Sequence, residues 1–184
     1  MNNLKQIGLA HIIYAQDFDG RLVPPSATCP TSSGSIALGA GKDSPWVAIL
    51  VDGGYIPADV EGYVPRIFNC PSGGYQHGDK DYGSCYVDYG YIGGGFGLCD
   101  ENITVVSYGP KKISDFNSSS AVLMFDCVRT WDDEYPYPST YVNHWKSGIP
   151  TGGNILYLDG HVKWKVHKDM EIKHHYSSRS YFEW

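Results

Sequence analysis

The chain opens with apolar and polar residues that alternate at the spacing of an α-helix. Steps of three and four separate the apolar positions, so they line one side of a helix. These positions are Leu4, Ile7, His11, Tyr14, Ala15 and Phe18. Asn2 or Asn3 can cap the first turn, and Gly20 can take the left-handed conformation that closes the last one. Because such a helix is marginal alone, the rest of the chain must cover its apolar stripe.

A second helical pattern follows a connection over residues 21–41 that is rich in proline, serine and glycine. Ser44 can cap a helix that has Pro45 at its first position, and Gly53 and Gly54 mark its end. Its apolar face contains Trp46, Ile49 and Leu50. We expect this short helix to cover the core rather than to bind a ligand.

Three later segments predict β-strands. Residues 66–70 are a short candidate that ends at Pro71, and residues 84–92 are rich in tyrosine, which suits a half-buried sheet surface. Residues 121–127 form a continuous apolar run, which is typical of a central strand buried on both faces. The chain therefore combines helices and strands in an α+β pattern.

Residues 153–166 predict a β-hairpin. Asp159-Gly160 joins its arms and is a strong signal for a type I′ turn, in which both central residues have positive φ. Alternation along the second arm predicts that its apolar side chains face the core and its two lysines face solvent. Those apolar side chains are Val162, Trp164 and Val166. Residues 167–184 have no clear period, and we expect a loosely attached tail or a short edge element.

The composition is that of one acidic domain over residues 1–184. The chain carries 14 basic and 20 acidic side chains without a basic run, so a nucleic-acid-binding surface is not expected. No apolar segment is long enough to span a membrane. Many glycines, prolines and tyrosines are typical of loop-rich chains outside the cytoplasm.

Five cysteines are an odd number, and they contain no close CxxC pair, which argues against a zinc-ribbon type of metal site. In an oxidising compartment up to two disulfides can form, whereas in a reducing one all five are small hydrophobic residues. Cys29 and Cys127 lie apart from the glycine-rich middle of the chain. The better disulfide candidates flank that region and are Cys70, Cys85 and Cys99.

One acidic cluster lies near a long loop. It consists of Asp132, Asp133 and Glu134, with Asp126 as a further candidate, and carboxylate oxygens of this kind suit calcium. Consecutive acids do not have the spacing of a calcium-binding loop, and a solvated acidic face explains them more simply. We therefore predict no resident cofactor, with calcium as the alternative.

Aromatic side chains crowd residues 130–146, a long segment of a type that is usually functional or mobile. Such side chains give contact area at protein interfaces and stacking surfaces for sugars. They are Trp131, Tyr135, Tyr137, Tyr141 and Trp145. Their alternative role is to pack the loop onto the sheet. The first role would make the chain a secreted carbohydrate- or protein-binding module.

No HExxH, GxSxG or serine–lysine motif occurs, and no nucleophile with an adjacent base is indicated. Of the seven histidines, His144 is the most interesting, because a hydrolase could use it with Asp126 or Asp159. A bond from His144 to the Asp159 turn would instead give it a structural role. We predict a protein that is not an enzyme.

Five segments resemble, in order, parts of the bacterial type II secretion pseudopilin-like proteins, those with a prepilin-type cleavage and methylation segment. They are NNLKQIGLA, YAQDFDGRLVP, PWVAILVDGGYI, IFNCPS and GGNILYLDGHVKW. The last is similar to the family's carboxy-terminal signature of His, nine residues and Asp-Gly, here His144, Asp159 and Gly160. KSGIPT lengthens the interval after His144, which departs from the family's spacing.

The resemblance implies a pilin-like α+β domain, with a long amino-terminal helix on an antiparallel sheet of roughly four to six strands and long loops. The helix would occupy residues 1–20, the short helix and sheet residues 21–166, and the tail residues 167–184. The family function is structural: a subunit of a type II secretion or type IV pilus-like assembly. Its partners would be other pilin-like subunits or secretion-apparatus proteins.

The resemblance also implies a place in the cell envelope, on the periplasmic or extracellular side. The full-length form would be anchored in the inner membrane by an apolar segment upstream of Met1. The membrane would thus be contacted only through a segment that this chain lacks.

Overall fold

A computed structural model describes residues 2–24, 45–58, 65–72, 89–93, 97–99, 105–115, 119–126, 128–131, 143–147, 149–177 and 180–183. Within these ranges the fold is α+β, with α1 at Asn2–Asp17, α2 at Pro45–Asp52 and 3₁₀ turns at Arg66–Phe68 and His167–Asp169. The described strands are β1 (Tyr89–Tyr91), β2 (Gly97–Cys99), β3 (Val105–Tyr108), β4 (Val122–Asp126), β5 (Arg129–Trp131), β6 (Trp145–Lys146), β7 (Ile149–Pro150), β8 (Gly152–Tyr157), β9 (Val162–Val166), β10 (Ile172–Ser177) and β11 (Ser180–Glu183).

The main sheet is antiparallel and has the strand order β1-β4-β8-β9. β4 lies between β1 and β8, and four of its five residues are buried. The prediction of a central strand within residues 121–127 is therefore confirmed. The register pairs Met124 with Leu156, which places an apolar layer under α1, and pairs Phe125 with Ile155, which are buried but are not part of the core cluster that contains α1.

α1 buries the predicted stripe against β4 and β8. Leu4, Ile7, His11, Tyr14 and Ala15 are all buried. Phe18 differs, because it follows the last helical residue; it is 48% exposed and stacks on the Tyr14 ring. Gly20 ends the helix as predicted, with φ +74° and its amide donating to the Ala15 carbonyl at 2.7 Å. None of the described helices has the length and hydropathy needed to cross a membrane.

A small helical layer, formed by α2 and the first 3₁₀ turn, also packs on α1. α2 begins at Pro45 and buries Trp46 and Leu50, as predicted. The strand predicted at residues 66–70 is wrong, since Arg66–Phe68 is a 3₁₀ turn that packs on α1. Its backbone bonds locally, the Asn69 amide donating to the Arg66 carbonyl, and Phe68 sits edge-on to Trp46. These residues serve the helical layer rather than a sheet.

The predicted hairpin is confirmed, but its type I′ turn is wrong. Gly160 has φ +86°, whereas Asp159 is not among the described residues with positive φ. The Gly160 amide donates to the Tyr157 carbonyl and the Tyr157 amide donates to the His161 carbonyl. This is a type I turn followed by a left-handed glycine, the usual three-residue hairpin loop.

β9 is one of the two outer strands of the main sheet, and its apolar face is only partly covered. Val162 packs against the core, as predicted. Trp164 and Val166 are 44% and 37% exposed, and the prediction that they face the core is wrong. The reason is position, because α1 packs over β4 and β8 and does not cover the far end of the sheet.

The carboxy-terminal segment belongs to a second sheet, so the first predicted alternative, a loosely attached tail, is wrong, whereas the second, a short edge element, describes β10. β10 pairs with β11, and β11 pairs with β5, in a second antiparallel sheet. β11 is therefore the central strand of this sheet, and β10 and β5 are its edges. Backbone pairing with β5, which is distant in sequence, orders a segment whose side-chain pattern gives no period.

Candidate functional site

Asp126 is the last residue of β4 and is 2% exposed. Its Oδ2 atom accepts hydrogen bonds from the Asn154 backbone amide at 2.6 Å and from the Asn154 side-chain amide at 2.7 Å. The Asn143 side-chain amide approaches the other oxygen, Oδ1, at 3.4 Å. A buried carboxylate needs such partners. Asn154 supplies them from β8, the neighbouring strand of the sheet, and Asn143 from the segment before β6.

His144 lies against this carboxylate. Its Nε2 atom is 2.9 Å from Asp126 Oδ2, and its side chain is 16% exposed. The ring meets Trp164 edge-on, with 4.9 Å between the ring centroids. The Thr151 amide and hydroxyl both donate to the His144 carbonyl, which holds the backbone of this residue in place.

Cys70 completes the group from the helical layer. It follows the first 3₁₀ turn, is 7% exposed, and places its Sγ atom 3.4 Å from His144 Nε2. Cys70, one of the three better disulfide candidates, is not in a disulfide. Its thiol meets an imidazole instead of a second thiol. Cys29, Cys85 and Cys127 lie outside the described residues, and Cys99 is described by its backbone in β2.

The cluster has a clear electrostatic consequence for His144. Burial lowers the pKa of its imidazole, but the hydrogen bond and negative charge of Asp126, with a further contribution from Cys70, outweigh burial and raise the pKa to about 9. At neutral pH the metal-free site therefore contains an imidazolium paired with a buried carboxylate.

The geometry differs from a cysteine–histidine–aspartate relay. A relay uses one ring nitrogen for the nucleophile and the other for the carboxylate. Here Cys70 and Asp126 both approach the same atom, Nε2 of His144. What the cluster provides instead is three converging donor atoms, a sulfur, a nitrogen and an oxygen, all within 4.8 Å of one another. Such a set can share a proton or hold a metal ion.

Asp159 and Gly160, which the sequence resemblance groups with His144, take no part in the hydrogen bond between His144 and Asp126. Asp159 Oδ1 accepts a hydrogen bond from the His161 amide at 3.0 Å and also pairs with the His161 ring. Although its slight burial would raise it, the pKa of Asp159 is lowered by these bonds to His161. His144 thus bonds to Asp126, one of the two aspartates considered with it for a hydrolase, and the predicted structural bond to the turn at Asp159 and Gly160 is not formed.

The predicted aromatic and calcium residues are only partly described. Trp131 lies in β5, and Trp145 is 44% exposed in β6. Asp126 sits beside a thiol and an imidazole, which is a poor ligand set for calcium. The other predicted residues lie outside the described ranges and are Asp132, Asp133, Glu134, Tyr135, Tyr137 and Tyr141.

Three members of this environment carry no recognisable local signal. Cys70 is 74 residues from His144 in sequence, and Asn154 is 28 residues from Asp126. Asn143 precedes His144 directly, so its proximity to that residue could be read from the chain but its bond to Asp126 could not. The sequence shows spacing along the chain, and these contacts depend on the packing of separate elements.

No protein-family model, curated protein or solved structure matches this chain.

Proposed function

We propose that this chain is a structural, non-catalytic subunit of a pilin-like assembly of the cell envelope, and that α1 binds neighbouring subunits through its outer face. The observation that carries the proposal is the two-sided use of α1. Leu4 and Ile7 are buried against the domain itself, whereas Leu9 and Ile13 are 56% and 41% exposed on the opposite side.

The outer face has the character of a helix-packing surface. Leu9 and Ile13 are four residues apart, so their side chains are neighbours on the helix. Gln6 and Gln16, at steps of three on either side, are exposed and uncharged. Lys5 and Asp17, four residues before Leu9 and four after Ile13, put an exposed charge at each end of this row. Single exposed apolar residues are ordinary, but an adjacent leucine and isoleucine between uncharged glutamines suit lateral contact with another helix.

The rest of the molecule fits a structural role. Among the described residues, the cluster of Cys70, Asp126 and His144 lacks the two-nitrogen geometry of a relay. It joins the helical layer to the sheet instead. The sequence resemblance supplies the remaining parts of the proposal: pilin-like or secretion-apparatus partners, a site on the periplasmic or extracellular side, and a membrane anchor in a preceding segment.

The proposal is tested by introducing Leu9→Asp and Ile13→Asp together into the full-length protein in its native cells. Chemical cross-linking in intact cells should capture oligomers of the wild type, and these should fall to background in the double variant. The matched control is Trp145→Asp with Ile149→Asp, which charges another exposed apolar pair and should leave the oligomers unchanged. Persistence of oligomers in the folded helix variant would contradict the proposal.

A second candidate function is supported by that same control surface. Trp145 and Ile149 are 44% and 55% exposed on the two strands of the β6–β7 hairpin. An exposed tryptophan of this kind suits a carbohydrate- or protein-binding module. Binding on a glycan array that disappears with Trp145→Ala and Trp131→Ala would support this function, and a signal no higher than background would remove it.

A further inference from the structure

We infer that Cys70, Asp126 and His144 form a binding site for a divalent metal ion of the zinc class, which joins the helical layer to the main sheet. The inference rests on these three side chains and is independent of the proposed assembly role. They come from the turn after the first 3₁₀ helix, the end of β4 and the segment before β6.

The donor atoms are already near the positions that a zinc ion requires. Cys70 Sγ and His144 Nε2 are 3.4 Å apart, and His144 Nε2 and Asp126 Oδ2 are 2.9 Å apart. Ligand bonds of about 2.0 to 2.3 Å in a tetrahedral site place neighbouring donor atoms roughly 3 to 4 Å apart. The third pair, Cys70 Sγ and the Asp126 carboxylate, lies within 4.8 Å, so these two side chains must move closer together around an ion.

The chemistry of the donors selects the metal class. A thiolate and an imidazole are ligands for zinc and other first-row transition metals, whereas calcium and magnesium require oxygen atoms. A thiolate and a carboxylate also balance the two positive charges of the ion, so the bound cluster is neutral in its buried position. The protons of the thiol and of the imidazole nitrogen pass to solvent when the ion binds.

The surroundings of Asp126 resemble the support that metal ligands usually have. Asn154 donates two hydrogen bonds to Oδ2, which orients the carboxylate. Oδ1 has a longer contact, 3.4 Å from the Asn143 side-chain amide, and Oδ2 is the oxygen that faces His144 Nε2. The partly exposed ring of His144 leaves a route from solvent, and three protein ligands leave a fourth position for water.

The site exists only when the fold is formed. Asn3 of α1 donates to the Asn69 carbonyl at 2.8 Å, so the residue before Cys70 is bound to the helix. Asp126 belongs to the sheet on which the helix packs. A metal that links Cys70 to Asp126 therefore binds the folded chain in preference to the unfolded one, and it should stabilise the packing of the helix on the sheet.

The test is titration of the chelator-treated wild-type protein, with its thiols reduced, by Co²⁺. One equivalent should give the near-ultraviolet charge-transfer band of a thiolate–cobalt bond, and Zn²⁺ should remove the band by displacing the cobalt. Cys70→Ser should abolish the band. His144→Gln should weaken binding by at least about tenfold.

Two matched variants control for the other thiols and histidines. His161→Gln removes a second histidine–aspartate pair, which has no cysteine in contact with it among the described residues, and Cys99→Ser removes a different thiol. Both should bind Co²⁺ with the wild-type spectrum and affinity. Absence of the band from folded wild-type protein would overturn the inference, whatever the variants do. So would a band that survives Cys70→Ser or that His161→Gln removes equally well.

Discussion

Gly8 of α1 lies directly over Leu156 of β8. A Cβ atom on Gly8 would be 3.0 Å from both δ-carbons of Leu156, which is closer than ordinary van der Waals contact. Leu156 is fully buried, and side chains in a close-packed interior have little freedom to give way. The absence of a side chain at Gly8 therefore sets how closely the helix approaches the sheet.

Gly8→Ala should destabilise the domain despite the better helix propensity of alanine. Alanine favours a helix by up to about 1 kcal/mol over glycine, whereas overpacking a tight core costs roughly 1 to 3 kcal/mol. We expect a net loss of about 1 kcal/mol in the free energy of unfolding, measured by urea denaturation. Leu156→Val should make room for the new methyl group, so the double variant should lose less than the sum of the single losses. Additive losses would show that the contact is not limiting.

His11→Phe should stabilise the domain at neutral pH. His11 is fully buried between the rings of Tyr91 and Trp46, and neither ring nitrogen has a hydrogen-bond partner among the described residues. Phenylalanine keeps the stacking and removes two buried polar atoms without partners. We expect a gain of about 1 kcal/mol in the free energy of unfolding. A loss at pH 7 would contradict this reading of the core.

The same histidine predicts loss of stability in acid. Burial lowers the pKa of His11 from 6.5 to about 3, so between these values the unfolded chain binds a proton that the folded chain does not. Stability should fall as pH drops below 6.5, by about 1.4 kcal/mol per pH unit. Urea denaturation across this range should show a shallower decline in His11→Phe than in the wild type.

His144 predicts the opposite behaviour on the alkaline side in protein kept free of metal by a chelator. Because the pKa of His144 is raised from 6.5 to about 9, its contribution is fully present below pH 6.5 and is lost as pH rises through 9. Roughly 1 to 3 kcal/mol should disappear over this window. His144→Gln should be less stable at pH 6 and should decline less toward pH 9. An equal decline in both proteins would contradict the pairing with Asp126.

Gly160→Ala should destabilise the β8–β9 hairpin through backbone strain. Gly160 has φ +86°, and the nearest atom to a Cβ there is Ile12 Cδ1 at 3.5 Å, so space is adequate and conformation is the obstacle. A left-handed alanine costs roughly 1 to 2 kcal/mol. Gly160→Asn is the matched control, since asparagine tolerates this conformation better and should lose less. Thermal unfolding of the three proteins provides the comparison, and equal losses would argue against strain.

Features carried by local pattern could be predicted from the sequence. α1 and α2 follow from helical spacing with end signals, and β4 and the β8–β9 hairpin follow from an apolar run and a turn. The 3₁₀ turn at residues 66–68 was missed because its apolar residues serve the helical layer. The pairing of β11 with β5 was missed because it depends on strands about fifty residues apart and on no local period.

The candidate site was predictable only in fragments. The sequence indicates His144 and gives it Asp126 as one of two candidate aspartate partners. It indicates Cys70 only as a disulfide candidate, since nothing near this residue in sequence points to a histidine partner. A cluster built from a turn, a strand end and a loop needs the packing of the whole domain before its members meet.

Asp126 also selects which residue of β8 stands opposite the end of β4. It accepts both the backbone and the side-chain amide of Asn154, and the neighbouring Gly153 and Ile155 have no side-chain donor to offer. A shift of β8 by one residue would forfeit one of these bonds and would turn Leu156 away from the helix, because alternate residues of a strand face opposite sides. The carboxylate thus favours a single alignment of β4 with β8. Only in that alignment does the apolar layer of the sheet contact the helix.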